Sequence, residues 1–432
     1  MDVTRRNVLR SAAALAAAQT VHAANDRLQI GFVGCGARAQ ELLGGVLKTP
    51  GTEVVALVDA YKGRIERTQS RVSGKAKVYP TYKELLADKS VDAVVIATPD
   101  HWHRQMIVDA VRAGKDVYCE KPMTYTASEG APIIAAVKES GRIVQIGSQG
   151  VSTDTDQKAR VVVQSGKLGK VTMVRASYNR NTASGAWIYP IPPDASPATV
   201  DWDMFQGPAP KKPFSLERFF RWRCYHDYSG GIATDLFVHL CTSIHYIMGA
   251  KVPSRVIALG ELYRWKESRD VPDTLNAVLE YPEGFVVTLS STFNGQSGPE
   301  AGFQFIGTEG MLAIGRDVMF YPDKSREDNR WIVDSWPKAL EDAYYADPKV
   351  RAEEVAENPK KNLQPEKITV REDDSTAAHI GNWVTGIRNR KPVYEDAVVG
   401  HHAASCAHMV NMAAREHLAV QWDVERDDIQ SS

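Results

Sequence analysis

A glycine-rich turn near the start of the chain constrains the fold more than any other feature. The pattern G-x-G-x-x-A occupies residues 34–39, between a short apolar strand and an amphipathic helical run. Gly34 is predicted to make the tight turn, Gly36 to let the backbone approach a pyrophosphate, and the small third position to pack helix on strand. Ala37 and Arg38 open the helix, whose N–H groups and positive dipole end are predicted to contact the phosphates. The pattern therefore indicates a dinucleotide-binding fold.

A carboxylate at the end of the second predicted strand indicates which dinucleotide binds. The apolar run that starts at Glu53 ends at Asp59. This is about 20 residues after the glycine pattern, where an acidic residue accepts the ribose hydroxyls of NAD and repels the 2′-phosphate of NADP. Arg64 and Lys62 lie close by and soften that preference. We expect NAD, with NADP as the alternative cofactor; the other interpretation of Asp59 is a helix N-cap.

The loop after a further buried strand, residues 91–98, is predicted to line the cofactor crevice, because open α/β sheets bind ligands at the carboxyl ends of their strands. Thr98 and Pro99 end this strand, and His101 and His103 follow them. One histidine is expected to contact nicotinamide or substrate, or to cap the next helix. No metal site is predicted, because no third ligand lies nearby at a suitable spacing.

Length and composition predict two soluble domains behind a leader. The chain has 432 residues, of which 43% are hydrophobic and 24% charged, as in ordinary globular proteins. We expect a leader over 1–24, an α/β domain with a doubly wound parallel sheet of the Rossmann type over 25–148, and an α+β domain with a largely antiparallel sheet over 149–432. The formal net charge of −1 argues against nucleic acid as the main partner, because phosphate binding needs a basic surface.

The first residues resemble a twin-arginine export signal. Arg5 and Arg6 precede a mildly apolar, alanine-rich stretch that ends at Ala24. This stretch is too short to span a bilayer, so no membrane span is expected in the mature chain. The segment predicts a periplasmic or otherwise extracytoplasmic protein. The alternative is a frayed amphipathic helix of a cytoplasmic protein.

The second domain shows the pattern of an antiparallel sheet. Strands are predicted over 171–178, 256–260, 274–281 and 285–290, and another hairpin turns at Thr308-Glu309-Gly310. Residues 323–374 are polar, charged and weakly periodic, and they are predicted to form a surface insertion with some helix.

Aromatic and arginine side chains in the second domain suggest a sugar site. Trp222, Arg223 and Tyr225 stand just before a predicted helix, and Tyr178 ends a predicted strand. Aromatic rings stack on the apolar faces of sugars, and arginine forks onto hydroxyls or a carboxylate. These four residues are the candidate substrate contacts. The alternative interpretation is ordinary packing beside a solvated basic loop.

Four motifs together resemble one known family. They are G-C-G-A-R-A at 34–39, T-P-D-H-W-H at 98–103, E-K-P at 120–122 and D-L-F-V-H at 235–239. In order and spacing the chain resembles the glucose–fructose oxidoreductase, inositol dehydrogenase and MocA family (Gfo/Idh/MocA). The resemblance implies a nicotinamide-dependent enzyme that acts on a sugar or polyol. It also implies a homo-oligomer, a dimer or tetramer formed through the open face of the second sheet.

The resemblance places Lys121, Asp235 and His239 around the nicotinamide and the sugar as catalytic residues, and it adds Glu120 to the cofactor contacts. The chemistry of these side chains agrees with the roles that the resemblance implies. Asp235 and His239 are i and i+4, so they share one helix face. A histidine with a pKa near neutrality takes the proton from a hydroxyl that loses hydride, and a desolvated lysine stabilises the developing alkoxide. The alternative for the helical pair is a surface hydrogen bond.

Export and fold together predict how the cofactor is used. No pool of free NAD(P) exists outside the cytoplasm, so we expect a tightly bound cofactor that is regenerated within each cycle. The first function is therefore an NAD(P)-dependent oxidoreductase acting on a hydroxyl of a sugar, glycoside or polyol. The second is a glycoside hydrolase or lyase that works by transient oxidation and elimination, although exported relatives of that type tend to lack E-K-P. The third is a non-catalytic ligand-binding or regulatory protein.

Overall fold

The computed structural model describes residues 27–267, 269–296, 302–323, 329–354, 364–372 and 374–430. The predicted export signal, residues 1–24, lies outside these ranges.

The first sheet has six parallel strands, which confirms the predicted Rossmann-type fold. In chain order they are β1 (Leu28–Val33), β2 (Thr52–Val58), β3 (Lys77–Val78), β4 (Ala93–Ile96), β5 (Asp116–Glu120) and β6 (Val144–Gly147). Their spatial order is β3-β2-β1-β4-β5-β6. The chain therefore reverses its winding direction between β1 and β4, and the crevice at their carboxyl ends is the expected ligand site.

The helices of this part cover both faces of the sheet. They are α1 (Ala37–Lys48), α2 (Lys62–Arg71), α3 (Tyr82–Ala87), α4 (His103–Arg112) and α5 (Gly130–Ser140). Helix α1 buries Leu42, Leu43 and Val46 against the sheet. Its apolar spacing of three and four residues makes one face of the helix apolar, so the helix packs directly after the glycine turn.

In the part of the chain that the structure describes, the second sheet has ten strands and is largely antiparallel, as predicted. They are β7 (Val171–Ser177), β8 (Arg255–Glu261), β9 (Thr274–Tyr281), β10 (Phe285–Thr292), β11 (Gly302–Gly307), β12 (Gly310–Ile314), β13 (Val318–Pro322), β14 (Glu366–Ile368), β15 (Val420–Asp423) and β16 (Asp428–Ile429). Among these described strands, only β7 and β10 pair in parallel. Burial alternates along β9 and β10, so one face of the sheet packs on the core and the other is open.

The other helices complete the second domain, with one exception. They are α6 (Asp154–Gln164), α7 (Trp202–Gln206), α8 (Leu216–Phe220), α9 (Val238–Met248), α10 (Arg330–Val333), α11 (Lys338–Ala346), α12 (Pro348–Glu353), α13 (Ser375–Asn389) and α14 (Ala397–Glu416). Among the described residues no helix combines the length and the apolarity needed to cross a bilayer.

The exception is α13, which returns to the first sheet. Ile380, Trp383 and Val384 are buried in one cluster with Ile30 and Phe32 of β1. The expected boundary placed the whole chain after residue 148 in the second domain. The structure differs because the apolar stripe of α13 covers the face of the parallel sheet beside α1.

The segment 323–374 also differs in part from the expected surface insertion. Helices α10 to α12 lie within it, as anticipated. However, β14 pairs with β13 through Val318↔Ile368 and Phe320↔Glu366. The end of the segment is therefore an edge strand of the second sheet, and its short polar sequence gave no strand pattern.

A buried glutamate links the two parts of the protein. Glu395 precedes α14, and its side chain accepts hydrogen bonds from the Ser148 N–H (2.8 Å) and the Thr242 hydroxyl (3.4 Å). The Ile146 N–H at the end of β6 donates to the Glu395 carbonyl at 2.8 Å. Burial raises the pKa of the Glu395 carboxyl from 4.5 to about 8.

We predict that Glu395→Gln flattens the pH dependence of stability. The folded protein holds a proton that the unfolded chain loses above pH 4.5, so wild-type stability falls as pH rises toward 8, by up to ~4 kcal/mol. Glutamine keeps the hydrogen-bond acceptor and does not titrate. The unfolding temperature of the variant should therefore drop less than that of the wild type between pH 5 and pH 8. Glu139→Gln, an exposed change on α5, is the control; equal slopes for both variants would contradict the assignment.

Candidate active site

One cleft runs along the carboxyl ends of the parallel strands and faces the second domain, and it has a volume of about 840 Å³. Of the residues predicted from the sequence, those that line it are Gly34, Gly36, Ala37, Arg38, Asp59, Thr98, Pro99, Glu120, Lys121, Tyr178, Trp222, Arg223, Asp235 and His239. The cleft thus contains the glycine turn and the three candidate catalytic residues together.

The two histidines after β4 do not line the cleft. The imidazole of His103 lies between two carbonyl oxygens, 2.6 Å from that of Pro122 and 3.0 Å from that of Thr98. The Nε2 atom of His101 lies 3.1 Å from the Phe205 carbonyl oxygen, and burial lowers the pKa of His101 to about 4. Both residues brace the loops around the cleft from behind, so neither is placed to touch a ligand there.

Tyr225 also lies outside the lining of the cleft. The guanidinium of Arg218 stacks 4.3 Å from the centre of its ring. The ring packs against the hydrophobic cores of the second domain. The sequence shows a run of aromatic and basic residues here, but this pattern does not indicate which of the rings face the cleft.

The glycine turn has the conformation that a dinucleotide needs. Gly34 has φ +86°, and a Cβ there would lie 2.7 Å from the Ala97 carbonyl oxygen, so only glycine fits. A Cβ at Gly36 would meet nothing closer than 3.6 Å, from Arg64. Steric packing within the protein therefore does not require glycine at position 36. Helix α1 has no side-chain cap at Gly36 and no acidic residue in its first turn, which leaves its N–H groups available to a pyrophosphate.

Asp59 supports this turn as well as lining the cleft. Its Oδ2 accepts the Cys35 N–H at 2.6 Å and its Oδ1 accepts the Tyr61 N–H at 2.8 Å. Helix α2 begins only after Tyr61, so Asp59 is not the cap of that helix. Arg64 lies 3.8 Å from the carboxylate. Asp59 and Arg64 therefore place opposite charges side by side, and these two residues would distinguish NAD from NADP.

An ion pair ties the glycine turn to the E-K-P segment. The Arg38 guanidinium donates to Glu120 at 2.8 Å, and the Gln149 amide donates to the same carboxylate at 3.1 Å. Gln149 lines the cleft but was not predicted from the sequence. It follows β6, and a single glutamine in a loop carries no motif by which it could be found.

Lys121, Asp235 and Arg223 form a charged network at the other end of the cleft. The Lys121 ammonium donates to Asp235 Oδ1 and to the Asp235 carbonyl oxygen, both at 2.8 Å. The Arg223 guanidinium donates to the same Oδ1 at 2.9 Å. Burial alone would raise the pKa of Asp235, but the charges of Lys121 and Arg223 outweigh it and hold that pKa well below its usual range. Asp235 is therefore an anion at physiological pH.

The local backbone explains how Asp235 and His239 both reach the cleft. Asp235 lies in a π-helical turn, Ala233–Phe237, that leads into α9, and His239 lies in the first turn of α9. A π-turn widens the helix by one residue and is found frequently at functional sites. The sequence spacing predicted a shared helix face, and it gave no sign of the π-turn.

His239 differs from the expected histidine of near-neutral pKa. Its imidazole makes no hydrogen bond to any other residue that the structure describes, and it lines the cleft. Burial and the positive charge of Lys121 lower the pKa of His239 well below 6.5. The imidazole is therefore neutral and keeps a free lone pair facing the cleft.

A second buried carboxyl stands behind this network. Asp100 is 3% exposed, and its Oδ2 lies 3.4 Å from the Thr234 hydroxyl. Burial raises the pKa of Asp100 to about 7, against the opposing effect of the charge of Lys121. Sequence reasoning assigned it no role, although it lies within the T-P-D-H-W-H motif. A carboxyl that titrates near neutrality beside a lysine is a functional candidate.

Additional aromatic rings line the substrate end of the cleft. Tyr189 joins Trp222 there, and the Arg223 guanidinium lies 4.2 Å from the centre of the Trp222 ring. Trp187 borders the same space, but its ring is fully buried in the core of the second domain. Trp187 has φ +65°, an unusual conformation for a bulky residue. Its ring meets Phe293 edge-on at 4.8 Å. The ring positions depend on tertiary packing, which explains why sequence reasoning did not select Trp187 or Tyr189.

Two family models match the chain, one in the Rossmann-type domain and the other in the second domain. Residues 28–148 match the oxidoreductase family with an NAD-binding Rossmann fold (GFO_IDH_MocA), and residues 197–313 match the GFO/IDH/MocA C-terminal domain. Together they cover more than half of the chain. The chain belongs to the Gfo/Idh/MocA family of oxidoreductases. It is thus an enzyme with an NAD-binding domain, and the open turn at Gly36 and the carboxylate of Asp59 fit that cofactor.

Relatives and solved structures agree with this placement. The 1,5-anhydro-D-fructose reductase of Ensifer adhaerens is 26% identical over 67% of this chain and 76% of its own length. An inositol 2-dehydrogenase of Salmonella typhimurium is 34% identical over 36% of this chain and 47% of its own length, so the match spans about half of that relative. A levoglucosan dehydrogenase solved with NADH and levoglucosan shares the fold, with a TM-score of 0.66, 16% identity, and coverage of 91% and 99% of the two chains.

We predict that Asp59→Asn shifts cofactor preference toward NADP by about tenfold, because the amide no longer repels a 2′-phosphate while it can still accept the Cys35 N–H. The measurement is fluorescence titration of cofactor-stripped protein with NADH and NADPH. The control is Glu66→Gln, which also removes one negative charge but at an exposed position on α2. An unchanged affinity ratio in Asp59→Asn would mean that another residue meets the ribose.

Proposed function

We propose that this protein is an exported NAD(P)-dependent oxidoreductase that oxidises a hydroxyl of a sugar, glycoside or polyol, and that it keeps its cofactor bound and regenerates it within each cycle. The observation that carries the proposal is the convergence of Lys121, Asp235 and His239 on the cleft that contains the glycine turn. The names of the relatives point to the same substrate class, since they act on an anhydro-sugar or an inositol.

The hydrogen bonds of Lys121 support the role that we assign to it. An ammonium group has three N–H donors. Two of them are used on Asp235, so one remains for the oxygen of a substrate hydroxyl. A positive charge fixed in this way stabilises the negative charge that develops on that oxygen. Asp235 acts as the residue that orients Lys121.

His239 is the group that takes the hydroxyl proton. Its neutral imidazole has a lone pair available, and no other described residue competes for it by hydrogen bonding. Bound NAD would supply the acceptor for the hydride that leaves the carbon, held by the glycine turn at Gly34 and Gly36 and by Asp59. The hydroxyl proton passes to the imidazole of His239, and the carbon–oxygen bond becomes a carbonyl. Reduction of a second substrate uses the same groups in reverse.

Retention of the cofactor is supported by a segment that we call the strap, residues 194–220. It crosses from the second domain to the ribose side of the cleft, where Phe205, Phe219 and Phe220 face the same space as Asp59. The Arg64 guanidinium lies 5.0 Å from the Phe219 ring and 5.3 Å from the Phe220 ring. The strap therefore walls the end of the cleft where the adenosine half of a dinucleotide would lie.

The strap is fastened to the first domain by direct bonds. The Tyr61 hydroxyl donates to Asp194 at 2.6 Å, and the Asp201 N–H donates to the Ala60 carbonyl at 2.7 Å. The Lys62 ammonium donates to the Ala198 carbonyl at 2.9 Å. All three anchors lie just after β2, so the strap must detach from this point before a cofactor on the ribose side can leave.

The export part of the proposal rests on the sequence alone. Arg5 and Arg6 lie outside the described residues, and the twin-arginine pattern remains the argument for an extracytoplasmic location. Cofactor retention is the property that such a location requires.

The function is tested with purified full-length protein and no added cofactor. Paired sugars and polyols, among them D-glucose, myo-inositol and D-fructose, are incubated with the protein, and a denatured sample is analysed by mass spectrometry for released dinucleotide. We expect retained NAD(H) or NADP(H), and one partner oxidised while the other is reduced. Release of an aglycone from a single glycoside without net oxidation would support the hydrolase or lyase alternative. Absence of both dinucleotide and turnover would overturn the proposal.

We predict that Lys121→Met lowers kcat by about 10²–10³-fold, the usual cost of losing one preorganised donor to a developing oxyanion. Lys138→Met, an exposed change on α5, is the matched control. Bound dinucleotide, measured by its absorbance, should be similar in both variants, which separates the chemical step from cofactor binding. If Lys121→Met retains wild-type kcat, Lys121 is not the group that stabilises the oxygen.

A further inference from the structure

The charges that line the cleft do not balance. Among the residues that the structure describes, six cationic side chains and four carboxylates face it, which leaves a surplus of two positive charges because His239 is neutral. Such a surplus in a cleft between protein walls attracts anions more strongly than the same charges would on an open surface. The location of the surplus within the cleft decides what it attracts.

The cofactor half of the cleft is close to neutral. Glu41 and Glu120 both pair with Arg38, and Asp59 lies 3.8 Å from Arg64. The remaining cation there, Lys83, is exposed to solvent. Because Arg38 pairs with two carboxylates, one negative charge is in excess there, and the charge of Lys83 offsets it in the sum for this half of the cleft.

The substrate half holds the surplus. Lys121 and Arg223 share the single carboxylate of Asp235, and Arg180 adds a further positive charge. Asp100 behind Lys121 has a pKa raised to about 7, so it removes at most one of these charges near neutral pH. At least one positive charge at this end is thus left without a counterpart on the protein.

Arg180 is the side chain that carries the unmatched charge. Its guanidinium donates one hydrogen bond, to the Gly185 carbonyl at 3.0 Å, and lies 5.2 Å from the centre of the Tyr178 ring. No carboxylate of the described part of the chain lies within ion-pairing distance of it. Its charge acts on His239, whose pKa it helps to lower. Arg180 therefore lies near the candidate base and has N–H donors to spare.

We propose that the substrate carries a carboxylate and that Arg180 binds it, which makes this protein an oxidoreductase of acidic sugars such as hexuronates. The proposal rests on the proposed function and names the substrate class for the same cleft. A guanidinium matches a carboxylate with two parallel hydrogen bonds, and the Tyr178 ring beside it limits the motion of the side chain. Lys121 is committed to the reacting oxygen, so the carboxylate is left for Arg180.

The test compares sugars that differ only in this group. Cofactor-loaded protein is assayed with D-glucuronate against D-glucose and with D-galacturonate against D-galactose. We expect kcat/KM to favour the uronate at least tenfold in each pair. Arg180→Gln should reduce that ratio by about tenfold or more, and Arg180→Lys should restore part of it because it keeps the charge and loses the fork.

A binding measurement separates this inference from the proposed function. Calorimetric titration of the cofactor-loaded protein with D-glucuronate should give a dissociation constant that rises about tenfold in Arg180→Gln. It should stay the same in Arg175→Gln, an exposed change on the same strand region outside the cleft. Binding of glucuronate that depends on Arg180 would support the inference even if no turnover followed.

Other outcomes overturn it. Oxidation of neutral sugars with no preference for uronates would remove the acidic-substrate inference and leave the proposed function intact. A preference for D-glucose 6-phosphate over both D-glucose and D-glucuronate, lost in Arg180→Gln, would replace the carboxylate by a phosphate. If the protein neither binds nor converts any of these sugars, the inference and the proposed function are both overturned.

Discussion

The carboxylate of Asp235 is the interaction on which the cleft depends. It accepts hydrogen bonds from Lys121, at the end of the parallel sheet, and from Arg223, in the second domain. Removing one member of a buried charge network leaves the others uncompensated, which costs several kcal/mol. Asp235 therefore joins the two domains at the point where the chemistry would occur, and the π-turn that carries it is part of that joint.

The electrostatics of this network decide how the proton is handled. Burial, and after it the positive charge of Lys121, make it costly to protonate His239, so the imidazole is a weak base in its neutral form. In the proposed reaction, stabilisation of the alkoxide by Lys121 would offset the weakness of His239 as a base, since both groups would act on one oxygen. A stronger base in this place would require a less buried imidazole or a less positive cleft.

The parts of the protein with local patterns could be predicted from sequence, and the parts that depend on tertiary contacts could not. The turn at Gly34 and the strand that ends at Asp59 follow from spacing, because backbone sterics demand glycine and strand ends repeat in Rossmann-type sheets. Helix α13 shows an apolar stripe, but nothing local tells which sheet it covers. Asp100 and Gln149 acquire their roles only from burial and from neighbours remote in sequence.

Cofactor retention and proton exchange place different demands on the fold. The strap and its anchors after β2 wall one side of the cleft, while the other end is lined by polar and aromatic groups that, in the proposed cycle, would admit two sugars in turn. In the proposed cycle one Lys121–His239 pair would serve both half-reactions, so the first product would have to leave before the second substrate binds. The proton does not need to be conserved between them, because a His239 of low pKa releases it readily to water. In that proposed cycle only the hydride would have to be kept, and the strap lies where it could hold the cofactor that would carry it.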